Sequence, residues 1–314
     1  MHLLPTLTST PGKSNHSSAL PKEGHFAPQE AQYLRDHLLT WYRQHRRHLP
    51  WRGDPPPYTG VEEVLAATTT AIASTAVTTL PTVPTTLPTV PTTPYSSWVC
   101  EIMSQQTRVE TVVKYHTVWM ARFPTVQSLA IATEEEVNKY WAGLGYYRRA
   151  RFLHQGSKYV MEHHEGQLPQ TIAELKKIPG IGPYTAGAIA SIAFGVYAPL
   201  VDGNVVRVLS RLRAFGGNPK HAPLIEGCWE VATRLVEGGR VVDAGLQGDR
   251  AAKEDNDSPV LFHPGDFNQS LMELGATICS PKLPKCPLCP VREVCRAFAE
   301  VNTTTITAAA SSSS

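Results

Sequence analysis

Residues 175–193 read LKKIPGIGPYTAGAIASIA, and the way this stretch turns decides the fold. A short helix is expected to run into Ile178-Pro179-Gly180-Ile181-Gly182. A second helix starts at Pro183, because proline is favoured in a first helical turn. Gly180 and Gly182 let the backbone turn tightly with its N–H groups exposed. Beside a helix N-terminus, such groups make an anion site suited to phosphate. A bare Gly-x-Gly between helices is more often a tight turn with no further role. Here VDGNVVRVLSR (201–211) follows, with Asp202 after an apolar run and arginines beyond. The whole run 178–201 is uncharged, but three prolines and four glycines break it into turns and a short helix, so it is not read as a membrane span.

Upstream lies WVCEIMSQQT (98–107), in which Glu101 is the only acid between Glu63 and Glu110. An isolated glutamate usually faces water. The alternative is a general acid inside a pocket, a role that needs a dry carboxyl.

Four of the six cysteines, Cys279, Cys286, Cys289 and Cys295, fall near the C-terminus in the spacing C-x6-C-x2-C-x5-C. A secreted disulfide framework spreads its cysteines, so this knot reads as a metal or cluster site in a reducing compartment. The residues alone suit tetrahedral zinc or a [4Fe–4S] cluster. Cys100 and Cys228 read as small buried residues.

The net charge of +2 over 314 residues leaves any polyanion-binding surface to local clusters. RQHRRHLPWR (43–52) and YYRRARFLHQGSK (146–158) are such clusters. Lys282, Lys285 and Arg292, beside the cysteines, are expected to face phosphates. Periodicity predicts helices almost throughout: Leu34, Leu38, Trp41 and Tyr42 form one stripe, and Phe267, Leu271, Leu274 and Ile278 another. Thr133 with Glu136 and Thr171 with Glu174 look like capping boxes, and Gly143, Gly166 and Gly195 like C-terminal stops. No alternation marks a strand, so the chain is expected to be all-α. The Thr/Pro tract contains TTLPTVP twice in tandem, and such a composition cannot bury a core. PPY (56–58) and TPY (93–95), on either side of it, look like two candidates for one join. The first 20 residues hold no continuous apolar core and no signal peptide is read there.

Together, the hairpin, the aspartate that follows it and the cysteine spacing resemble the helix-hairpin-helix, iron–sulfur DNA glycosylase superfamily. LPW (49–51), WVCEIMSQQT, GLGYYRRAR (143–151) and GPYTAGAI (182–189) resemble its MutY-type adenine glycosylases in particular. The resemblance implies a two-lobed fold with DNA in the cleft between lobes and a C-terminal [4Fe–4S] cluster loop held by the four cysteines. It implies Glu101 as the acid that protonates the departing base at N7 and Asp202 as the carboxylate that stabilises or captures the oxocarbenium-like sugar. Tyr184 and Asn204 complete the implied catalytic group. Tyr184 stands where lyase-active relatives carry a Schiff-base lysine, so base removal without strand cleavage is expected. Trp51 and Arg52 are expected to line the adenine pocket, and Gln106 and Tyr146 to wedge into the duplex. Gln105, Thr107, Gln269 and the hairpin residues Gly180 and Gly182 complete the implied DNA contacts.

The expected organisation is a disordered tail over 1–27, an N-terminal helix of the cluster lobe over 28–60 and a low-complexity insertion over 61–94. A helical barrel with the hairpin follows over 95–215, then the cluster lobe over 216–298 with a loop insertion at about 237–263, and a disordered tail over 299–314. The family continues into a Nudix-like domain that helps recognise 8-oxoguanine, whereas this chain ends soon after Cys295. The function implied is monofunctional removal of adenine opposite 8-oxoguanine or guanine in double-stranded DNA. It implies a monomer without membrane attachment, in the nucleus with the mitochondrion as a second location. The rivals are an endonuclease III-like pyrimidine glycosylase, against which Tyr184 and Glu101 argue, and a catalytically impaired DNA-binding remnant.

Overall fold

The computed structural model describes residues 25–59, 92–246 and 262–302. The repeat tract between 60 and 91, and most of both expected tails, lie outside these residues. Helices follow one another as α1 (Pro28–His45), α2 (Pro94–Met103), α3 (Val109–Arg122), α4 (Val126–Ala130), α5 (Glu134–Trp141) and α6 (Arg148–His164). Then come α7 (Ile172–Leu175), α8 (Pro183–Phe194), α9 (Gly203–Arg213), α10 (Ala222–Leu246) and α11 (Pro264–Thr277), with 3-10 turns at Pro50–Arg52, Cys286–Leu288 and Arg292–Val294. No strand occurs among the described residues.

Two apolar cores organise these helices. The first gathers α2 to α8 around Trp98, Trp119 and Trp141, the last two edge to face with centroids 5.5 Å apart. Such aromatic pairs add about 1 kcal/mol to what burial alone provides. The second packs Leu34 and Leu38 of α1 against Leu209 of α9, Leu235 of α10 and Phe267 and Leu271 of α11. Residues 203–213, expected in the barrel, pack into this second core because Val205, Val208, Leu209 and Leu212 all face it.

Helix α8 serves both cores: Ala186, Ile189 and Ala190 belong to the first and Ala188 to the second. A helix buried on both sides has no polar face to show, which explains the uncharged run 178–201. Among the described residues no helix is long and apolar enough to cross a membrane.

Several expectations change in detail. Thr133 and Thr171 do cap α5 and α7, accepting from the amides of Glu136 and Glu174 at 3.1 and 3.3 Å. The return half of each box is missing, because Glu136 pairs with Arg122 and Glu174 with Lys177. PPY and TPY are not alternatives. Tyr58 is fully buried beside Leu49, while Thr93 caps α2 and Tyr95 sits in the first core. Of the loop expected at about 237–263, residues 237–246 belong to α10 and 247–261 lie outside the described residues, while helical backbone runs over 296–302.

Candidate active site

A cavity of about 820 Å³ opens where α2, α8, α9 and α11 meet the 3-10 turn at Pro50–Arg52. Its lining brings together Trp51, Arg52, Glu101, Gln105, Gln106, Thr107, Tyr184, Asp202 and Asn204. Tyr146, Gly180, Gly182 and Gln269 lie outside the lining.

Glu101 sits in the last turns of α2, whose residues from Tyr95 to Met103 are all buried, so its carboxyl has been taken out of water with the helix. Burial pushes its pKa up to about 7, a change reinforced by the charge of Asp202 and opposed by the Tyr184 hydrogen bond and Arg52. Tyr184 Oη donates to Glu101 Oε2 over 2.6 Å and also lies 3.4 Å from Met272 Sδ. A phenol has one proton, so the short carboxylate bond takes it. Burial and the neighbouring carboxylates raise the Tyr184 pKa well above the ordinary phenol value, which keeps the hydroxyl a donor. Among the described residues no other group bonds to the Glu101 carboxyl. A buried acid near neutrality with one oxygen uncommitted can deliver a proton to a bound base.

Asp202 is the N-cap of α9. Its Oδ1 accepts from the Val205 amide at 2.7 Å and its Oδ2 from Asn204 Nδ2 at 2.9 Å. Asn204 Oδ1 in turn accepts from Arg207 at 2.7 Å. A helix N-terminus favours negative charge, and this carboxylate lines the same cavity as the buried Glu101.

Arg52 reaches the cavity, and each of its three nitrogens already donates within the protein: Nη2 to Glu273 at 2.9 Å, Nε to Gln269 at 3.1 Å and Nη1 to the Arg47 carbonyl at 2.9 Å. Arg47 also grips Glu273, through Nε at 2.7 Å and Nη2 at 3.0 Å. Although burial pulls the other way, these two arginines hold the Glu273 pKa down to about 2. Arg46 pairs with Asp54 at 2.6 Å. The cluster at 43–52, expected to face a polyanion, thus turns three arginines inward: Arg47 and Arg52 tie this segment to Glu273 of α11, and Arg46 braces it on Asp54. From the second cluster, Arg149 is buried, whereas Arg148, Arg151 and Lys158 stay exposed.

The hairpin forms as the glycines suggest. Gly180 adopts φ +85, and a Cβ there would meet Phe152 at 2.6 Å. Gly182 has an ordinary φ of -90 and open space around a would-be Cβ, and it starts α8 with no side-chain cap. Among the described residues neither strain nor packing demands glycine at 182, and the residue is exposed as the N-cap of α8, where an outside group could approach its backbone closely. Gln106 and Tyr146 hold left-handed backbone at φ 55 and 45, and the Tyr146 ring is 65% exposed. Non-glycine residues in that region are uncommon and concentrate at functional sites.

Cys279, Cys286, Cys289 and Cys295 line one cavity of about 360 Å³ behind α9 and α11. Apart from two short 3-10 turns, residues 279–295 have no regular structure of their own. Arg211 crosses to the loop, donating to the carbonyls of Ser280 and Pro281 at 2.7 and 2.8 Å and to Cys279 Sγ at 3.3 Å. Burial pushes the Cys289 thiol up to about 11, so thiolates gathered here need a cationic partner. Among the described residues no three His, Cys, Asp or Glu side chains are drawn together as a single metal ion would require. Four cysteines lining one cavity are a donor set that suits a thiolate-bound metal centre.

Sequence reasoning missed Glu273 and Arg149. Glu273 is the lone acid of FNQSLMELGATI (267–278), the same signal that singled out Glu101.

The model of the HhH-GPD superfamily of base excision DNA repair proteins matches residues 99–234. An adenine DNA glycosylase of Homo sapiens is 41% identical over 269 residues, covering 85% of this chain and 40% of that protein. Those of Arabidopsis thaliana and Schizosaccharomyces pombe are 40% and 36% identical, covering 87% and 92% of this chain and 38% and 53% of theirs. The chain thus spans about half the length of these relatives or less. The structure of a thermostable thymine-DNA glycosylase superposes with a TM-score of 0.61 at 23% identity, over 87% of this chain and 98% of that one, and shares the fold.

Proposed function

We infer that the chain belongs to the helix-hairpin-helix base excision DNA repair superfamily and, within it, to the MutY-type adenine DNA glycosylases. We propose that it removes adenine mispaired with 8-oxoguanine or guanine by hydrolysing the N-glycosidic bond. The observation that carries this reading is the buried Glu101 carboxyl, near pKa 7 and held by Tyr184 at 2.6 Å. An extruded adenine would receive a proton at N7 from Glu101, which turns a poor leaving anion into a neutral base. The carboxylate left behind keeps its hydrogen bond from Tyr184. Asp202 faces the oxocarbenium-like sugar until water, or the carboxylate itself, closes it. With a tyrosine at 184 no Schiff base forms there, so the strand stays intact.

Duplex binding rests on phosphate contacts at the Gly180–Gly182 hairpin and the exposed Lys282 and Lys285. Gln106 and Tyr146 are exposed side chains on constrained backbone, suited to filling the space an extruded base leaves. Cys279, Cys286, Cys289 and Cys295 would hold a [4Fe–4S] cluster, which supplies cross-links to a loop with little regular structure. Single-turnover excision from a duplex with adenine opposite 8-oxoguanine tests the reading. Release of adenine with the strand uncut supports it. A preference for oxidised pyrimidines, or binding without excision, contradicts it.

A further inference from the structure

We propose that Arg149 is a positioning residue that latches the loop carrying Gln106 to the loop carrying Tyr146, so that both enter a duplex as one unit. Its consequence for DNA rests on the adenine-removal reading. Arg149 is buried, with 7% of its surface exposed, and no carboxylate pairs with it among the described residues. Carbonyls hold its charge instead. Nη1 reaches the carbonyls of Ile102, Met103 and Gln105 at 3.1, 2.8 and 2.7 Å, and Thr107 Oγ1 at 3.2 Å. Nη2 reaches the carbonyls of Leu144 and Gly145 at 3.2 and 3.3 Å.

The pattern has a local logic. Gln105 and Gly145 immediately precede the two left-handed residues Gln106 and Tyr146, and one guanidinium holds the carbonyl before each. Strained backbone persists only where its surroundings over-determine it. Ile102 and Met103 end α2, the Glu101 helix, whose C-terminal dipole favours a cation. A planar fork can grip both loops at once, whereas an ammonium of similar reach is a point charge with three donors on one atom. The same group therefore ties the wedge loops to the helix that carries the acid.

The test compares wild type with Arg149→Lys in the full chain, first without DNA. Amide hydrogen exchange over 104–107 and 144–147 should accelerate together, by about tenfold for the loss of several charge-assisted bonds. A duplex with 2-aminopurine in place of adenine opposite 8-oxoguanine then reports extrusion. The extrusion signal should fall about tenfold while duplex affinity, set by phosphate contacts, stays within about threefold. Unchanged exchange, loosening of one loop only, or loosened loops with wild-type extrusion would each overturn the latch. If wild type itself extrudes nothing, the adenine-removal reading fails, and the exchange data still decide the latch. Should Arg149→Lys lose cooperative unfolding, Thr107→Val removes a single acceptor instead. The latch then predicts a smaller acceleration in both loops, and a change confined to 104–107 overturns it.

Discussion

The hydroxyl of Tyr184, at the start of α8, donates to Glu101 Oε2 near the end of α2 over 2.6 Å. This bond favours the ionised carboxyl, while burial and Asp202 favour the neutral one, and the balance is a pKa of about 7. A general acid works only when protonated, so excision should be fastest below pH 7 and fall as the pH rises through it. Tyr184→Phe removes the hydrogen bond that lowers the Glu101 pKa, and the alkaline limb should move to higher pH. Single-turnover rates from pH 5.5 to 9 read the shift. A limb that moves down, or stays in place, contradicts the assignment.

The same carboxyl should cost stability. Its folded pKa lies above the unfolded value near 4.5, so the unfolded state gives up its proton first as the pH rises. Stability is then lost between about pH 4.5 and pH 7, by on the order of 3 kcal/mol. Glu101→Gln should therefore unfold at a higher temperature than wild type at pH 8, with little difference at pH 4.5. Differential scanning calorimetry at both pH values decides it, and equal midpoints at pH 8 would be the contrary result.

Glu273 should behave in the opposite way. Its folded pKa of about 2 is depressed, so its stabilisation is present above the unfolded carboxyl value and is lost as the pH falls toward 2. Glu273→Gln leaves Arg52 buried without a charge partner, at a cost of about 3 kcal/mol near neutrality. Trp51, next to Arg52 in the same 3-10 turn, should become more accessible to acrylamide quenching. A variant as stable as wild type at pH 7 would show that these ion pairs contribute little.

Much of this site was legible because it depends on short-range chemistry. Gly180 needs its left-handed φ locally, Thr133 and Thr171 cap the helices they precede, and Tyr184 follows the hairpin by two residues. The arginines misled because pairing is a long-range property. Arg47 and Glu273 are separated by 226 positions, and nothing near Arg47 says that a buried carboxylate waits for it. Arg149 is similar: all of its acceptors except Thr107 Oγ1 are main-chain carbonyls, which every sequence offers and none advertises. The division into lobes was misjudged at 203–213 for the same reason, since the stripe of valines and leucines in α9 shows that a face is buried without saying against which core.

Asp202→Asn separates capping from chemistry. Asparagine caps about as well as aspartate, so α9 and the thermal midpoint should hold. Excision should still fall by at least ~10²-fold, because the charge opposite the sugar is gone. A large loss of stability would assign Asp202 to the helix, and full activity would remove it from the reaction.

The proposed [4Fe–4S] cluster makes a compositional prediction. Purified protein should contain about four irons and four sulfides per chain and absorb broadly in the visible range. Cys286→Ser should lose the colour and unfold at a lower temperature. One zinc per chain in a colourless preparation would contradict the assignment.

Glu101→Gln on a duplex with adenine opposite 8-oxoguanine tests the central claim most directly. Glutamine keeps the size of the side chain and a hydrogen-bonding oxygen for Tyr184 but has no proton to give. Under single-turnover conditions excision should fall by at least ~10²-fold relative to wild type. Duplex affinity should remain within about threefold, since phosphate contacts dominate it. Wild-type excision by Glu101→Gln, or no adenine release by the wild-type chain itself, would contradict the account.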